Sequence, residues 1–360
     1  AYKKKRHMKE GRRGPHPEIP LYTGEDVEKT LPLFRTVEYG EPVAVAQGVT
    51  ATYYDAGHVI GSAMIRVVVT EGTEERRLVF SGDIGRWDRP MLEDPHTFLS
   101  PDYVVMESTY GDRNHDKNRD IKEELAAIVN SAVAAGGHII VPSFALQRSQ
   151  EMLYYLNELL LAKRIPPIPV YLDSPMAIRV TEVFKRHGTL FDTEMREFLE
   201  NGRSPFDFPG LRMVQTTNES KQLNYLKGTA MIIAGSGMVT GGRIKHHISN
   251  NISRPEATIL FIGYQAVGTL GRHIVEGAGN VRIFGANHAV RARIAQIHGF
   301  SAHADRDDLI RWLSSITKDP RRIFVNHGEE SASRAFARLL EEEKGLPVLV
   351  PKYGQTVPLD

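Results

Sequence analysis

The chain has 360 residues, of which 41% are hydrophobic and 25% are charged, and its formal net charge is +1. This balance is ordinary for a globular protein, and the length predicts a large core and two domains. The absence of cysteine excludes disulfides and thiolate metal sites, so metal ligands have to be His, Asp or Glu. No apolar run approaches the about 20 residues of a membrane span, and no signal-peptide pattern is present, so we expect a cytoplasmic protein without a membrane partner.

The first thirteen residues are strongly basic, and their only acidic side chain is Glu10. A basic run attracts phosphates, although such runs are more often a solvated surface. The chain begins with Ala1 rather than Met, and we expect it to be a fragment or a processed product. A short helix is predicted within residues 23–35, where Glu25 and Asp26 favour the first turn.

The segment from residue 42 to residue 83 has the pattern of β-structure, and a further strand is predicted before Glu107. Its apolar runs are rich in Val, Ala, Tyr and Ile and are separated by turns that contain glycine. The predicted strands cover residues 43–49, 50–54, 63–70, 77–80 and 102–106. Residues 84–101 contain three prolines and are predicted to form a loop.

Helices and strands alternate from about residue 115 onward, which indicates a mostly parallel sheet with covering helices. The predicted helices cover residues 121–135, 146–161, 176–186 and 193–200, and the predicted strands 138–141, 169–172, 231–234 and 259–262. The last part combines predicted strands at 291–297, 323–326 and 348–350 with predicted helices at 305–316 and 331–343. The simplest organisation is one α/β domain, residues 1–114 and 291–360, interrupted by an inserted α/β domain, residues 115–290.

Polar residues follow several of these predicted strands and are accompanied by glycine. They include His58, Asp83, Glu107 and His327. Strand ends present side chains to a cleft at the edge of a rigid sheet. Imidazole and carboxylate groups suit Zn²⁺ or Mn²⁺, and one carboxylate can bridge two ions. Taken one at a time these residues are weak indicators, because a histidine or an aspartate beside glycine more often belongs to an ordinary turn.

Five short motifs occur in a fixed order along the chain. They are Gly57-His58, Ser81-Gly82-Asp83, Glu107-Ser108-Thr109-Tyr110-Gly111-Asp112, Ser301-Ala302-His303-Ala304-Asp305 and Asn326-His327-Gly328-Glu329. Together with Val141-Pro142-Ser143-Phe144 and Gly235-Ser236-Gly237-Met238 between them, they resemble the β-CASP nucleases of the metallo-β-lactamase superfamily. The resemblance covers nearly the whole chain. It implies a metallo-β-lactamase αββα sandwich with an inserted β-CASP domain.

The resemblance also implies a role for each polar residue. His58 corresponds to a ligand of one zinc ion, Asp83 to the catalytic aspartate that bridges both ions, and His327 to a ligand of the second ion. A histidine at this last position points toward RNA rather than DNA. Glu107 corresponds to a carboxylate that pairs with His303, and His303 to the group that protonates the leaving oxygen, a role that suits a histidine held by a carboxylate.

One part of the family pattern is missing. The His-x-His-x-Asp-His cluster, which supplies most zinc ligands in the family, occurs nowhere in the sequence, and His7 and His16 lack its spacing. Three ligands divided between two ions would hold metal weakly. The chain is then either a piece of an intact nuclease or a natural non-catalytic homologue. We expect the former, because Asp83, His303 and His327 are all present.

Glycine-rich turns of the inserted region are candidate phosphate sites, since a strand, a turn and a helix together offer backbone N–H groups. The alternative is a tight turn with no ligand. We predict that the substrate contacts Ser143, Arg148, Ser236, Gly237 and Arg243. Other polar side chains of these helices, and Tyr110 and Tyr264, either line the same cleft or belong to the surface and the core.

The implied function is hydrolysis of phosphodiester bonds in single-stranded RNA by a zinc-dependent endonuclease, with 5′→3′ exonuclease action as a further possibility. Two ions about 3.5–4 Å apart can clamp a phosphate in this way. The alternatives are a non-catalytic RNA-binding scaffold and a hydrolase of small esters. An insertion of about 175 residues argues against the latter, because it would create a long groove. A homodimer is also possible, since the family often dimerises.

Overall fold

The structure is a computed structural model that describes residues 21–116 and 120–359. The basic run of residues 1–13, with its predicted attraction for phosphates, lies outside the described residues, as do His7 and His16. None of the helices in the described ranges is both long and apolar enough to cross a membrane.

The described residues form fifteen strands and ten α-helices. The strands are β1 Pro42–Ala46, β2 Val49–Asp55, β3 Ala63–Glu71, β4 Glu74–Phe80, β5 Tyr103–Met106, β6 Ile139–Pro142, β7 Val170–Leu172, β8 Leu211–Met213, β9 Met231–Ala234, β10 Thr258–Phe261, β11 Asn280–Ile283, β12 Ala286–Ala289, β13 Arg293–Gln296, β14 Arg322–Val325 and β15 Val348–Leu349. The helices are α1 Gly24–Thr30, α2 Ile121–Ala135, α3 Arg148–Leu161, α4 Pro175–Arg186, α5 Thr193–Glu200, α6 Thr217–Gln222, α7 Ile244–Asn251, α8 Leu270–Val275, α9 Arg306–Leu313 and α10 Glu330–Lys344.

The first sheet has seven strands in the order β1-β2-β3-β4-β5-β14-β15. Strands β1 to β4 form an antiparallel meander, and β4, β5, β14 and β15 are parallel neighbours. The chain therefore leaves this sheet after β5 and returns to it at β14. Helices α9 and α10 cover one face, where Trp312 and Phe336 pack with the buried side chains of Val104 and Ile323.

The second sheet has six strands in the order β13-β10-β6-β9-β7-β8, and all its pairs are parallel. Its two faces are buried in separate hydrophobic clusters, since Ile139 and Val141 of β6 belong to one and Ile140 to the other. Parallel strands that are covered on both faces read as continuous apolar runs. This explains why the sequence predicted β6, β7, β9 and β10, whereas β8, whose residues are not fully buried, was not predicted. The predicted α/β class with a mostly parallel inserted sheet is confirmed.

Strand β13 joins the second sheet, where it pairs with β10. The predicted boundary after residue 290 therefore precedes the last strand of that sheet, and the chain leaves the sheet only after Gln296. Residues 291–297 have an ordinary strand pattern, which does not indicate the neighbouring strand. The division into domains itself remains a prediction.

Candidate active site

The four residues at strand ends come together at one edge of the first sheet. Strands β4, β5 and β14 are parallel, and β2 runs in the same direction because it is antiparallel to β3, which is antiparallel to β4. The carboxyl ends of all four strands therefore lie at the same edge. His58, Asp83, Glu107 and His327 follow these ends within three residues.

Asp83 lies between two histidines. Its Oδ1 is 3.1 Å from Nε2 of His327, and its Oδ2 is 3.7 Å from Nε2 of His58. His58, Asp83 and His303 also form a group in which each residue offers one ligand atom within 4.8 Å of the others. The family resemblance assigns His303 to proton donation and not to metal binding. In the structure, however, its ring centroid is only 4.4 Å from that of the predicted ligand His58.

Gly85 allows the segments that follow β2 and β4 to approach each other closely. A β-carbon at Gly85 would lie 1.9 Å from the carbonyl oxygen of Gly57, well inside any allowed contact. The N–H of Gly85 also donates to the carbonyl of Ala56 at 2.8 Å. The segment after β2 and the segment after β4 thus cross in direct backbone contact, which places His58 beside Asp83.

The His58 imidazole is suited to metal coordination. Burial, followed by the nearby His303 and Arg148, lowers the pKa of His58 to about 3. The ring is therefore neutral at neutral pH, as a metal ligand must be. Its Nδ1 atom is buried and has no hydrogen-bond partner among the described residues. A neutral imidazole, a carboxylate and a second imidazole are a donor set that fits zinc.

His303 is held by Glu107. Its Nδ1 lies 3.0 Å from Oε2 and 3.2 Å from Oε1 of the carboxylate, which is 1% exposed. The same Oε1 accepts from the N–H of Ile84 at 2.5 Å. Burial lowers the pKa of His303, but the hydrogen bond to Glu107 and the charges of Glu107 and Asp83 outweigh it, so the pKa lies above its ordinary value.

The backbone around His303 is supported by His115, which sequence reasoning missed. The Nε2 atom of His115 lies 3.1 Å from the carbonyl oxygen of His303. The N–H of His115 donates to Asp305, whose side chain also caps α9. A histidine in a polar loop carries no local signal of such a contact.

Four of the five predicted substrate-binding residues line one cavity of about 530 Å³. These are Ser143, Ser236, Gly237 and Arg243. Gly237 packs closely against Phe144 in the cavity wall, because a β-carbon at this position would lie 2.6 Å from the Phe144 ring. The hydroxyl of Ser236 accepts from the N–H groups of Thr240 and Gly241.

The fifth residue, Arg148, does not line this cavity. It is 7% exposed, and its Nη1 donates to the carboxylate of Glu151 and to the carbonyl of Phe300. Glu151 also receives a hydrogen bond from Arg89. Arg148 thus connects α3 to the loop that precedes His303.

The chain matches two known protein-family domains. One is the Beta-Casp domain, over residues 149–274. The other is described as the Zn-dependent metallo-hydrolase RNA specificity domain and matches residues 287–351. The first match contains strands β7 to β10 of the second sheet, and the second match contains His303 and His327.

Curated relatives extend this similarity over nearly the whole chain. Ribonuclease TTHA0252 of Thermus thermophilus is 39% identical over 340 residues, which are 94% of this chain and 76% of that protein. An RNase J-like protein of Methanocaldococcus jannaschii is 28% identical over 341 residues, 94% of this chain and 77% of that protein. Transcription termination factor FttA of Methanosarcina mazei is 30% identical over 324 residues, 87% of this chain but only 50% of that protein.

The predicted resemblance is therefore confirmed by similarity along 94% of the sequence and by both domain matches. The chain belongs to the β-CASP family of the metallo-β-lactamase superfamily.

Proposed function

We propose that the protein is a metal-dependent ribonuclease that hydrolyses phosphodiester bonds of single-stranded RNA at the edge of the first sheet. The observation that carries the proposal is the position of Asp83 between His58 and His327, beside the pair formed by His303 and Glu107. Similarity to proteins named ribonuclease and RNase J-like supports RNA as the substrate. We propose endonucleolytic cleavage, with 5′→3′ exonuclease action as a further activity of the same site.

His58, Asp83 and His327 would hold zinc. The carboxylate of Asp83 faces both imidazoles, so it is the residue in this group that would serve two ions. The chemistry supplied by bound zinc is neutralisation of charge on the phosphoryl oxygens and acidification of water. Asp83 would therefore be a catalytic residue as well as a ligand, because it would hold the zinc next to the reacting phosphate.

His303 would donate the proton that the leaving oxygen needs. Glu107 binds Nδ1, which directs the ring and makes Nε2 the proton donor of the proposal. A protonated imidazole whose pKa is raised by a buried carboxylate is a competent general acid near neutral pH. When the P–O bond breaks, the proton moves from Nε2 to the departing ribose oxygen.

Ser143, Ser236 and Gly237 would bind the RNA backbone, since they line a single cavity. Arg243 lines the same cavity, but Asp173 holds its guanidinium group. Arg148 has a different part in the proposal. Its guanidinium group is occupied by Glu151 and the carbonyl of Phe300, so we assign it to positioning of the loop before His303 rather than to contact with RNA.

A second candidate function is RNA binding without cleavage. It is favoured by the small size of the ligand group, because His58, Asp83 and His327 alone would hold zinc weakly. In that case this chain has impaired catalysis but an intact RNA groove.

Incubation with end-labelled single-stranded RNA, with zinc or with EDTA, separates the two functions. Zinc-dependent cleavage that is lost in His303→Ala, while RNA binding is retained, supports the nuclease. Cleavage that is independent of metal or unaffected by His303→Ala contradicts it. Salt-dependent binding without any cleavage favours the scaffold.

A further inference from the structure

A second cavity, of about 780 Å³, adjoins the cavity lined by Ser143, Ser236 and Gly237. It lies between α6, α7 and the hairpin formed by β11 and β12. The two cavities share the residues from Thr240 to Arg243. A strand of RNA that occupied the first cavity could therefore continue directly into the second.

The inner wall of this second cavity is held in place by a buried carboxylate. Asp173 is fully buried and accepts hydrogen bonds from Ser220 at 2.5 Å, Arg243 at 2.6 Å and His247 at 2.6 Å. All three donors line the cavity. The wall is thus pre-formed, and the charge of Arg243 is already neutralised by Asp173.

The remaining charge in the cavity is positive. Lys221, Lys245 and Arg282 line it, and no Asp or Glu is among its lining residues. Within the part of the chain that the structure describes, none of these three cations forms an ion pair with a carboxylate. A concave surface with several uncompensated cations attracts a polyanion.

An aromatic platform stands beside these cations. Phe284 lies at the turn of the hairpin and is 54% exposed. Its ring stacks on that of His246, with centroids 4.4 Å apart and an interplanar angle of 28°, and Lys245 Nζ lies 5.2 Å from its centroid. Phe284 also has a φ of 50°, a left-handed conformation that favours glycine or asparagine. An exposed phenylalanine in that position is not explained by folding.

We propose that this cavity is a second RNA subsite, in which a base of single-stranded RNA stacks on Phe284 and the adjoining phosphates contact Lys221, Lys245 and Arg282. Stacking on an aromatic face combined with cations along the backbone is the usual chemistry of single-strand binding, and it requires unpaired bases. The inference rests on the proposed function and deepens it, because it extends the substrate beyond the nucleotides at the scissile bond.

Fluorescence anisotropy with labelled oligoribonucleotides in EDTA tests the subsite without depending on cleavage. We expect Phe284→Ala to weaken binding of a long single strand by about tenfold, the effect of losing one stacked base. A short oligonucleotide that fills only the first cavity should bind the variant and the parent equally. A fully paired duplex should also show no loss.

Lys245→Ala and Arg282→Ala test the phosphate contacts. Each should weaken binding of the long strand and reduce the slope of log K against log salt by roughly 0.7, the value for one phosphate contact on a single strand. Lys352→Ala and Tyr353→Ala are matched controls, because both side chains are exposed outside the cavity, and they should bind like the parent. Thermal melting should confirm that every variant is folded.

Unchanged binding of the long strand by folded Phe284→Ala would overturn the subsite. If the parent still cleaved RNA in that case, the proposed function would stand. A parent protein that binds no RNA of any length would overturn both. An equal loss for short strands, long strands and duplex would also overturn the subsite, since it would indicate a general change of charge or shape.

Discussion

The Nδ1 atom of His303 lies 3.0 Å from the Glu107 carboxylate, although 196 residues separate the two in the sequence. Glu107 is almost completely buried, and the ring of His303 contacts that carboxylate and lies 4.4 Å from the ring of His58. A buried carboxylate behind a histidine both orients the ring and favours its protonated form. This pair is the basis of the first two predictions.

His303→Ala should reduce RNA cleavage by at least about 10²-fold, the usual contribution of a general acid, and should leave the zinc content unchanged. Cleavage rates and metal analysis by mass spectrometry measure the two effects. The test is demanding, because His303 lies within 4.8 Å of both His58 and Asp83. Loss of zinc from the variant would make His303 a ligand and would contradict the assignment.

The effects of Glu107→Ala and His303→Ala on the rate of RNA cleavage should not be additive. If Glu107 acts only through His303, the double variant should cleave RNA no more slowly than His303→Ala alone. Single-turnover rates of the parent, the two single variants and the double variant complete the cycle. A double variant whose loss equals the product of the single losses would show that Glu107 acts independently.

Asp83→Ala should lower bound zinc more than either His58→Ala or His327→Ala, because its two oxygens face both histidines. We also expect the 360-residue chain to bind fewer than two zinc ions per molecule. His298→Ala is the matched control, since this exposed histidine should not affect zinc content. Two ions bound by the parent and by Asp83→Ala alike would refute the proposed ligand set.

Asp173→Asn should destabilise the protein by about 3–5 kcal/mol, as when one partner of a buried charge pair is removed. Burial raises the pKa of Asp173, but hydrogen bonds from His247, Ser220 and Arg243 outweigh it and lower the pKa below its ordinary value. A carboxyl group whose pKa is lower in the folded protein than in the unfolded chain stabilises the folded protein above the unfolded pKa of about 3.9. This stabilisation is lost as the pH falls through the pKa of the folded state. Urea unfolding between pH 7 and pH 3 should therefore show that the free energy of unfolding falls less with acid for the variant than for the parent. Equal pH dependence of the two proteins would contradict the stabilising role of the Asp173 carboxylate.

Arg148→Ala distinguishes positioning from substrate contact. Removal of the guanidinium group leaves the carbonyl of Phe300 without this donor and Glu151 with Arg89 as its remaining cationic partner. We expect a loss of about 3 kcal/mol in the free energy of unfolding and slower cleavage, with unchanged RNA affinity of the folded protein. A stable variant with weakened RNA binding would instead support the contact predicted from sequence.

The outcome for Arg148 illustrates a general limit. Its position after a predicted strand suggested a cleft residue, and four of the five residues chosen on similar grounds do line one cavity. A helix position alone does not tell whether a side chain points to solvent or to a neighbouring loop. The carbonyl of Phe300, 152 residues away in the sequence, decides this for Arg148.

Phe284 illustrates a second limit. The hairpin of β11 and β12 was not predicted, because four-residue strands with polar and apolar residues mixed carry little periodic signal. Its stacking partner His246 lies on α7, and its helix position gives no indication of this contact. The stacking of the two rings depends on the packing of the hairpin against α7, which no local pattern reveals.

By itself the sequence determined the residue types at the strand ends, the α/β class and the family, because each depends on contiguous patterns that local chemistry controls. The tertiary structure alone decided that Asp83 faces two histidines and that β13 joins the second sheet. It also decided that the guanidinium group of Arg148 binds Glu151. These relationships join residues whose distance in space is set by sheet order and loop closure. Side-chain direction and strand neighbours are properties of the packed molecule, and so they could be read only from the fold.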